Sequence, residues 1–280
     1  MMRGVTLLML LLAAAPLQAQ RRFTLPAGAR VERDLAYGPA RGQRLDVYLP
    51  AHPVGAPVLF MVHGGGWAVG DKTSAGVVAG KVRHWLPLGY IVVSVNYRMI
   101  PDVTVGAEAE DVARALAWVQ SHARGWGGDG DRVVIVGHSA GGHLVALVTA
   151  DSALVRRMGV RPWRGTIGLD AGAYNVERLM RAPHVRLFDR AFGKDAATWR
   201  ALSPTLRLDH AAVPLLLVCS SRRVSSCPQA EAFAAVARAH GGTATVLPIN
   251  KTHAQIDADL GTDPAYTQSV EAYLKAVGTG

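Results

Sequence analysis

Gly137-His138-Ser139-Ala140-Gly141 has the form G-x-S-x-G. Flanking glycines permit the sharp strand-to-helix turn that lifts a serine hydroxyl clear of its own backbone, so Ser139 is a candidate nucleophile. The context suits that chemistry. The apolar run Val133-Val134-Ile135-Val136 precedes the motif, and a helix-forming run, Ser139 to Ala150, follows it. A helix beginning there would add partial positive charge beside an oxyanion developing on an attacked carbonyl. The blander alternative makes Ser139 a plain N-cap on a glycine-rich helix start.

A second run, His63-Gly64-Gly65-Gly66-Trp67, follows the apolar segment Leu59 to Val62. Three successive glycines cost backbone entropy. Unshielded N–H groups aimed at an oxyanion are one return for that cost, each such donor being worth about 3–4 kcal/mol in a transition state. A simple glycine turn is the other reading.

Together, His-Gly-Gly-Gly-Trp and Gly-His-Ser-Ala-Gly-Gly resemble the esterase/lipase branch of the α/β-hydrolases, which contains hormone-sensitive-lipase-like and feruloyl-esterase-like carboxylesterases. The resemblance runs over about residues 40 to 277. It includes Val95-Asn96-Tyr97-Arg98, Glu110-Asp111-Val112 and Gly127-Gly128-Asp129. It implies that Gly65, Gly66 and Ala140 donate to the oxyanion and that no metal or organic cofactor is required. It leaves His63 as a residue that orders its loop, and it makes the expected partner a small-molecule ester, contacted in part by Trp67.

Enzymes of this fold order their triad as serine, acid, histidine, so the base should lie near the C-terminus. His253, in Lys251-Thr252-His253-Ala254, follows the last strand-like segment and precedes the final helical one. His240 ends a helical run and suits a helix C-terminus. His210 precedes a strand, on the wrong side of the sheet.

The acid breaks the pattern. The family usually carries its carboxylate in the loop that corresponds to Cys219 through Cys227, and that loop has no Asp or Glu. One strand earlier, Gly168-Leu169-Asp170 is similar to the pancreatic-lipase arrangement, which makes Asp170 the expected acid. Asp257, near His253 in sequence, is the alternative. Either need only hold the imidazole's tautomer and stabilise the imidazolium.

These residues must be positioned by an alternating series of elements. Strand-like runs fall at Val58–Val62, Tyr90–Val95, Arg132–Val136, Thr166–Leu169, Val213–Val218 and Ala244–Leu247. Helical runs fall at Ser74–Leu88, Ala107–His122, Ser139–Ala150, Pro228–His240 and Asp263–Val277. Near-continuous apolar strands separated by helices predict an α/β fold: a mostly parallel sheet of about eight strands, covered on both faces. Val31–Tyr37 and Arg44–Leu49 alternate in polarity and predict an antiparallel edge. Tyr174–Leu208 fits no strand and is expected to form a small lid over the carboxyl edge of the sheet, where ligands bind.

The 280 residues suit one such domain, spanning 20–280. A basic start, the apolar run Val5–Ala15 and a small residue at Ala19 predict a leader over residues 1–19, hence a periplasmic or secreted protein with no stable membrane span once the leader is removed. In that setting Cys219 and Cys227 are expected to form a disulfide, worth about 2–3 kcal/mol for so short a loop. The net charge of +9 comes from scattered arginines rather than one basic face, which argues against nucleic-acid binding. Two readings compete with an exported carboxylesterase: an amide or formamide hydrolase of the kynurenine-formamidase type, and a degenerate, non-catalytic binding protein on the same fold. Oligomeric state is not readable from the sequence.

Overall fold

The computed structural model describes residues 23–280, so the predicted leader over residues 1–19 lies outside the described residues. The chain forms one eight-stranded sheet. In sequence order its strands are β1 (Arg30–Ala36), β2 (Arg44–Leu49), β3 (Ala56–Val62), β4 (Ile91–Val95), β5 (Gly128–His138), β6 (Gly165–Leu169), β7 (Leu215–Ser220) and β8 (Ala244–Ile249). The spatial order is β1-β2-β4-β3-β5-β6-β7-β8. Both pairings of β2 are antiparallel and every other pairing is parallel. The antiparallel edge thus sits where the alternating segments predict it.

Side chains alternate across each strand, and each face is covered by its own helices. Val58, Phe60 and Val62 of β3 and Val133 and Ile135 of β5 face α2 (Val105–His122) and α3 (Ala140–Ala150). Leu59 and Met61, with Val134 and Val136, face α1 (Ala75–Trp85), α10 (His253–Ala258) and α11 (Pro264–Ala276). Beyond β6, Leu215 and Leu217 of β7 pack against Phe233 and Ala234 of α9 (Ser226–Ala239). Among the described residues no helix is long and apolar enough to cross a membrane.

The segment with no strand pattern folds into four short helices, α5 (Val176–Arg181), α6 (Arg186–Phe192), α7 (Ala196–Ala201) and α8 (Pro204–Arg207), after α4 (Ser152–Met158). Val176, Met180, Phe192 and Leu202 anchor them to the same core as β3 and α3. Strand β5 starts earlier than the expected Arg132, because Ala56 pairs with Gly128 before the register shifts toward Val58 and Val133.

Candidate active site

The carboxyl ends of β3, β5 and β6 and the loop before α10 converge on one spot. Ser139 sits between β5 and α3 with φ 54° and ψ −116°, a left-handed conformation costly for a non-glycine residue. The surroundings enforce it. Its N–H donates to Leu169 O at 2.9 Å, and its carbonyl accepts from His143 N at 3.1 Å. The turn is too tight for side chains beside it: a Cβ on Gly137 would lie 2.2 Å from Gly141 O, and one on Gly141 would lie 2.3 Å from Val62 O. The flanking glycines are therefore a packing requirement of this strand-turn-helix.

His253 opens α10 behind a capping box. Thr252 Oγ1 accepts from Gln255 N at 3.3 Å, and Gln255 Oε1 accepts from Thr252 N at 3.0 Å. The imidazole is thereby aimed into the cleft, its Nε2 2.8 Å from Ser139 Oγ and its Nδ1 2.6 Å from Asp170 Oδ2. With Nδ1–H donating to the carboxylate, Nε2 turns its lone pair to the serine hydroxyl.

Asp170 lies just past β6, fully buried and also at positive φ (50°). Its Oδ1 accepts from Ser220 N at 2.8 Å and from the Ser226 hydroxyl, and its Oδ2 accepts from Arg223 Nη1 at 2.6 Å. Burial alone would push the carboxyl's pKa up. The hydrogen bonds from His253, Ser226, Ser220 and Arg223 outweigh burial and hold it well below the usual carboxylate range. All three of these additional partners come from the stretch Cys219–Cys227, the end of β7, the loop after it and the start of α9, which carries no acid. Cys219 and Cys227, 5.1 Å apart at Cα, are joined in a disulfide that brackets this loop. Ser220 Oγ also donates to Lys251 O at 2.6 Å, tying the acid's cradle to the histidine's loop.

The glycine run after β3 faces the serine. A Cβ on Gly64 would come 3.0 Å from Ser139 Cβ. Gly65 has φ 124°, and a Cβ there would fall 1.8 Å from Val69 O, so only glycine fits. Among the described residues the N–H groups of Gly65, Gly66 and Ala140 donate to no protein acceptor, as amides reserved for a ligand oxygen would. His63 orders the loop: it stacks on Tyr97 with centroids 4.5 Å apart, its Nδ1 bonds Gly64 O at 2.7 Å, and Tyr97 donates to His63 O at 2.9 Å. The neighbouring Arg98 clamps buried Asp111 at 2.7 and 2.8 Å, holding the Asn96-Tyr97-Arg98 segment against α2.

Trp67 is 4% exposed. Its indole N–H donates to His143 Nδ1 at 3.2 Å, His143 Nε2 bonds Leu202 O at 2.8 Å, and Phe192 packs edge-on against the indole. The tryptophan thus pins the glycine loop to the lid. Leu187 of α6 lies over Gly66, where a Cβ would come 2.7 Å from Leu187 Cδ2. Burial lowers the His143 pKa to about 4, so this anchor is a neutral imidazole with its tautomer set by its two partners.

Asp257 lies elsewhere. It is buried on α10 against Lys81, whose Nζ donates to Asp257 Oδ1 at 2.6 Å and to Gly76 O at 2.8 Å. Burial lowers the Lys81 pKa despite the adjacent carboxylate. The pair supports the base from below, since His138 lies 3.6 Å from Asp257 and bonds His253 O at 2.9 Å. His240 caps the end of α9 and His210 lies beside Asp209, both apart from the cleft. Sequence reasoning missed Ser220, Ser226, Arg223 and His138 as partners of the acid and base; the lack of a carboxylate between the two cysteines was the one signal that this loop does different work.

This strand order, with a serine lifted at the β5–α3 turn, defines an α/β-hydrolase. Within that class, residues 45–159 match the BD-FAE family model. The chain is 32% identical to the esterase LipQ of Mycobacterium tuberculosis over 264 residues, 88% of this chain and 61% of that one. It is 42% identical over 118 residues to the probable carboxylic ester hydrolase LipM of the same organism, 41% of this chain and 27% of that one. It is 27% identical to an isoprenylcysteine α-carbonyl methylesterase of Arabidopsis thaliana over 81% of this chain and 57% of that one. These matches span from about a quarter to three fifths of the length of the curated relatives. Among solved structures, esterase B from Lactobacillus rhamnosis superposes with a TM-score of 0.72 at 23% identity, over 91% of this chain and 86% of that one. Esterase 2 of Thermogutta terrifontis superposes with a TM-score of 0.71 at 21% identity, over 90% and 94%.

Proposed function

We propose that this protein is an exported serine carboxylesterase that hydrolyses carboxylic esters through an acyl-enzyme on Ser139. The observation that carries the reading is the unbroken chain from Ser139 Oγ to His253 Nε2 (2.8 Å) and from His253 Nδ1 to Asp170 Oδ2 (2.6 Å), beside amides with no protein acceptor among the described residues. The imidazole takes the serine proton as Oγ attacks the acyl carbonyl. The amides of Gly65, Gly66 and Ala140 receive the oxyanion, and the imidazolium, steadied by Asp170, protonates the departing alcohol. Water then enters by the same steps in reverse roles, releasing the acid and restoring Ser139.

The names of the sequence relatives support ester over amide chemistry. The cradle around Asp170 supplies the acid whose absence between the cysteines motivated the non-catalytic reading. Export rests on the predicted leader and agrees with the Cys219–Cys227 disulfide, a bond suited to an oxidising compartment. The test is hydrolysis of a short-chain aryl ester, and of the matching formamide, by wild type and Ser139→Ala, with fluorophosphonate labelling in parallel. Ester turnover and labelling that both vanish in the variant are expected; equal rates would overturn the assignment. Cell fractionation of the full-length chain tests export, and a cytoplasmic, uncleaved product would refute it.

A further inference from the structure

Beside the site, the lid and the disulfide loop enclose a groove of about 620 Å³. Leu179, Val185 and Phe188 supply an apolar wall, and Arg178 and Arg223 supply two cations. No Asp or Glu is among its described lining residues. His184, also on the wall, is matched by Asp189 at 3.1 Å. The arginines are matched on one side at most. Among the described residues the Arg178 guanidinium meets no carboxylate, although Arg181 of the same helix and Arg200 of α7 both pair with Glu177. Arg223 engages Asp170 through Nη1 alone; its Nε and Nη2 carry no bond to a described residue. That same Nη1 lies 3.0 Å from His253 Nδ1, so the inner end of the groove adjoins the reacting groups.

Resting on the esterase reading, we propose that this groove is a subsite for a free carboxylate carried by the ester substrate, held by Arg178 and the outer edge of Arg223. A planar guanidinium fork matches a carboxylate in two parallel hydrogen bonds, and the apolar wall of the groove suits a short hydrocarbon or aryl spacer. One cation with no carboxylate partner among the described residues, Arg178, and a second, Arg223, whose Nε and Nη2 remain open beyond its pair with Asp170 are the electrostatic complement of an anion. Because Arg223 joins the groove to His253, such a group would be read as a preference in kcat/KM rather than as binding at a distance.

The test uses two matched pairs of substrates on the full protein. One pair is a mono-aryl ester of a short dicarboxylic acid and the same compound with its free carboxylate methylated; it places the charge on the acyl part. The other is 4-acetoxybenzoate and its methyl ester, which places the charge on the alcohol part. In at least one pair the carboxylate form is expected to be favoured about tenfold or more in kcat/KM, with the ratio shrinking as salt rises. Arg178→Gln should bring that ratio toward one, and Arg178→Glu should invert it. Arg124→Gln, near the amino ends of the strands, removes the same charge and should leave the ratio intact. If wild type hydrolyses the neutral esters and shows no preference in either pair, or if Arg178→Gln keeps the preference, the subsite is refuted while the esterase reading stands. If it hydrolyses no ester and resists the fluorophosphonate, both fail together.

Discussion

Residues 45–159 and residues 160–280 contribute to one cleft by different physical means. The first stretch holds Ser139 and the amides that meet no acceptor among the described residues, and what sets them is mostly backbone: a serine forced to positive φ and glycines that admit no Cβ. The second stretch holds His253, Asp170 and the helices α5 to α8, and its part of the site is assembled from side chains gathered from loops far apart in sequence. A backbone device needs particular residue types at fixed spacing. A side-chain device needs only that some donor reach the right point, and many sequences satisfy that. The family model matches the first stretch, ending at residue 159.

The comparison breaks most visibly if either half can be removed without loss. Ser139→Ala and His253→Ala should each lower kcat for an aryl ester by about 10⁵–10⁶, measured by stopped-time product release with an active-site titration. Asp170→Asn should follow at about 10⁴, with a fall in kcat far beyond any change in melting temperature. If Asp170→Asn keeps full turnover, the acid is misassigned and the side-chain half of the site dissolves.

Asp257→Asn sharpens the contrast from the other direction. It strands the buried Lys81 ammonium, and about 3–5 kcal/mol of stability should be lost in urea unfolding. Activity well below the melting temperature should fall far less than for Asp170→Asn. Replacing both cysteines by alanine should cost about 2–3 kcal/mol and, by loosening Ser220 and Ser226, lower kcat more than KM.

Within the first stretch, Glu108 offers the smallest effect. Burial, with Asp111 nearby, pushes its pKa up to about 9 from 4.5, although the N–H of Ile100 favours the ionised form. An acid with a raised folded value is protonated at low pH in the folded state. Its contribution to stability is complete below about pH 4.5 and is lost as pH rises toward 9. Glu108→Gln should therefore raise stability by about 1–3 kcal/mol near pH 8 and change it little at pH 4, a trend read from melting temperature against pH.

What the sequence makes legible follows the same division. Spacing proposes Ser139 and the three glycines, whose geometry tolerates few other residues. Chain order proposes His253, and a place at a strand end proposes Asp170; the structure brings the three side chains within hydrogen-bond distance. Strand β5 is underestimated because its first residue, Gly128, pairs with Ala56 across a shift of register before the regular pairing begins at Val133, and such a bulge carries no alternation of polarity. Asp257 competes with Asp170 in sequence because it lies four residues from His253, but α10 turns it down toward Lys81. Arg223, Ser220 and Ser226 are invisible beforehand: hydrogen bonds to a buried carboxylate carry no period, and nothing in a row of serines and arginines says which will fold inward.

With the carboxylate housed on β6, the nine positions from Cys219 to Cys227 become a cassette: stapled at both ends, wired to acid and base by a few atoms, and released from contributing a charged catalytic group. Protein engineers seeking a new selectivity have a natural splice point there, since exposed Val224 and Ser225 can be exchanged with the staple and the two inward serines left in place.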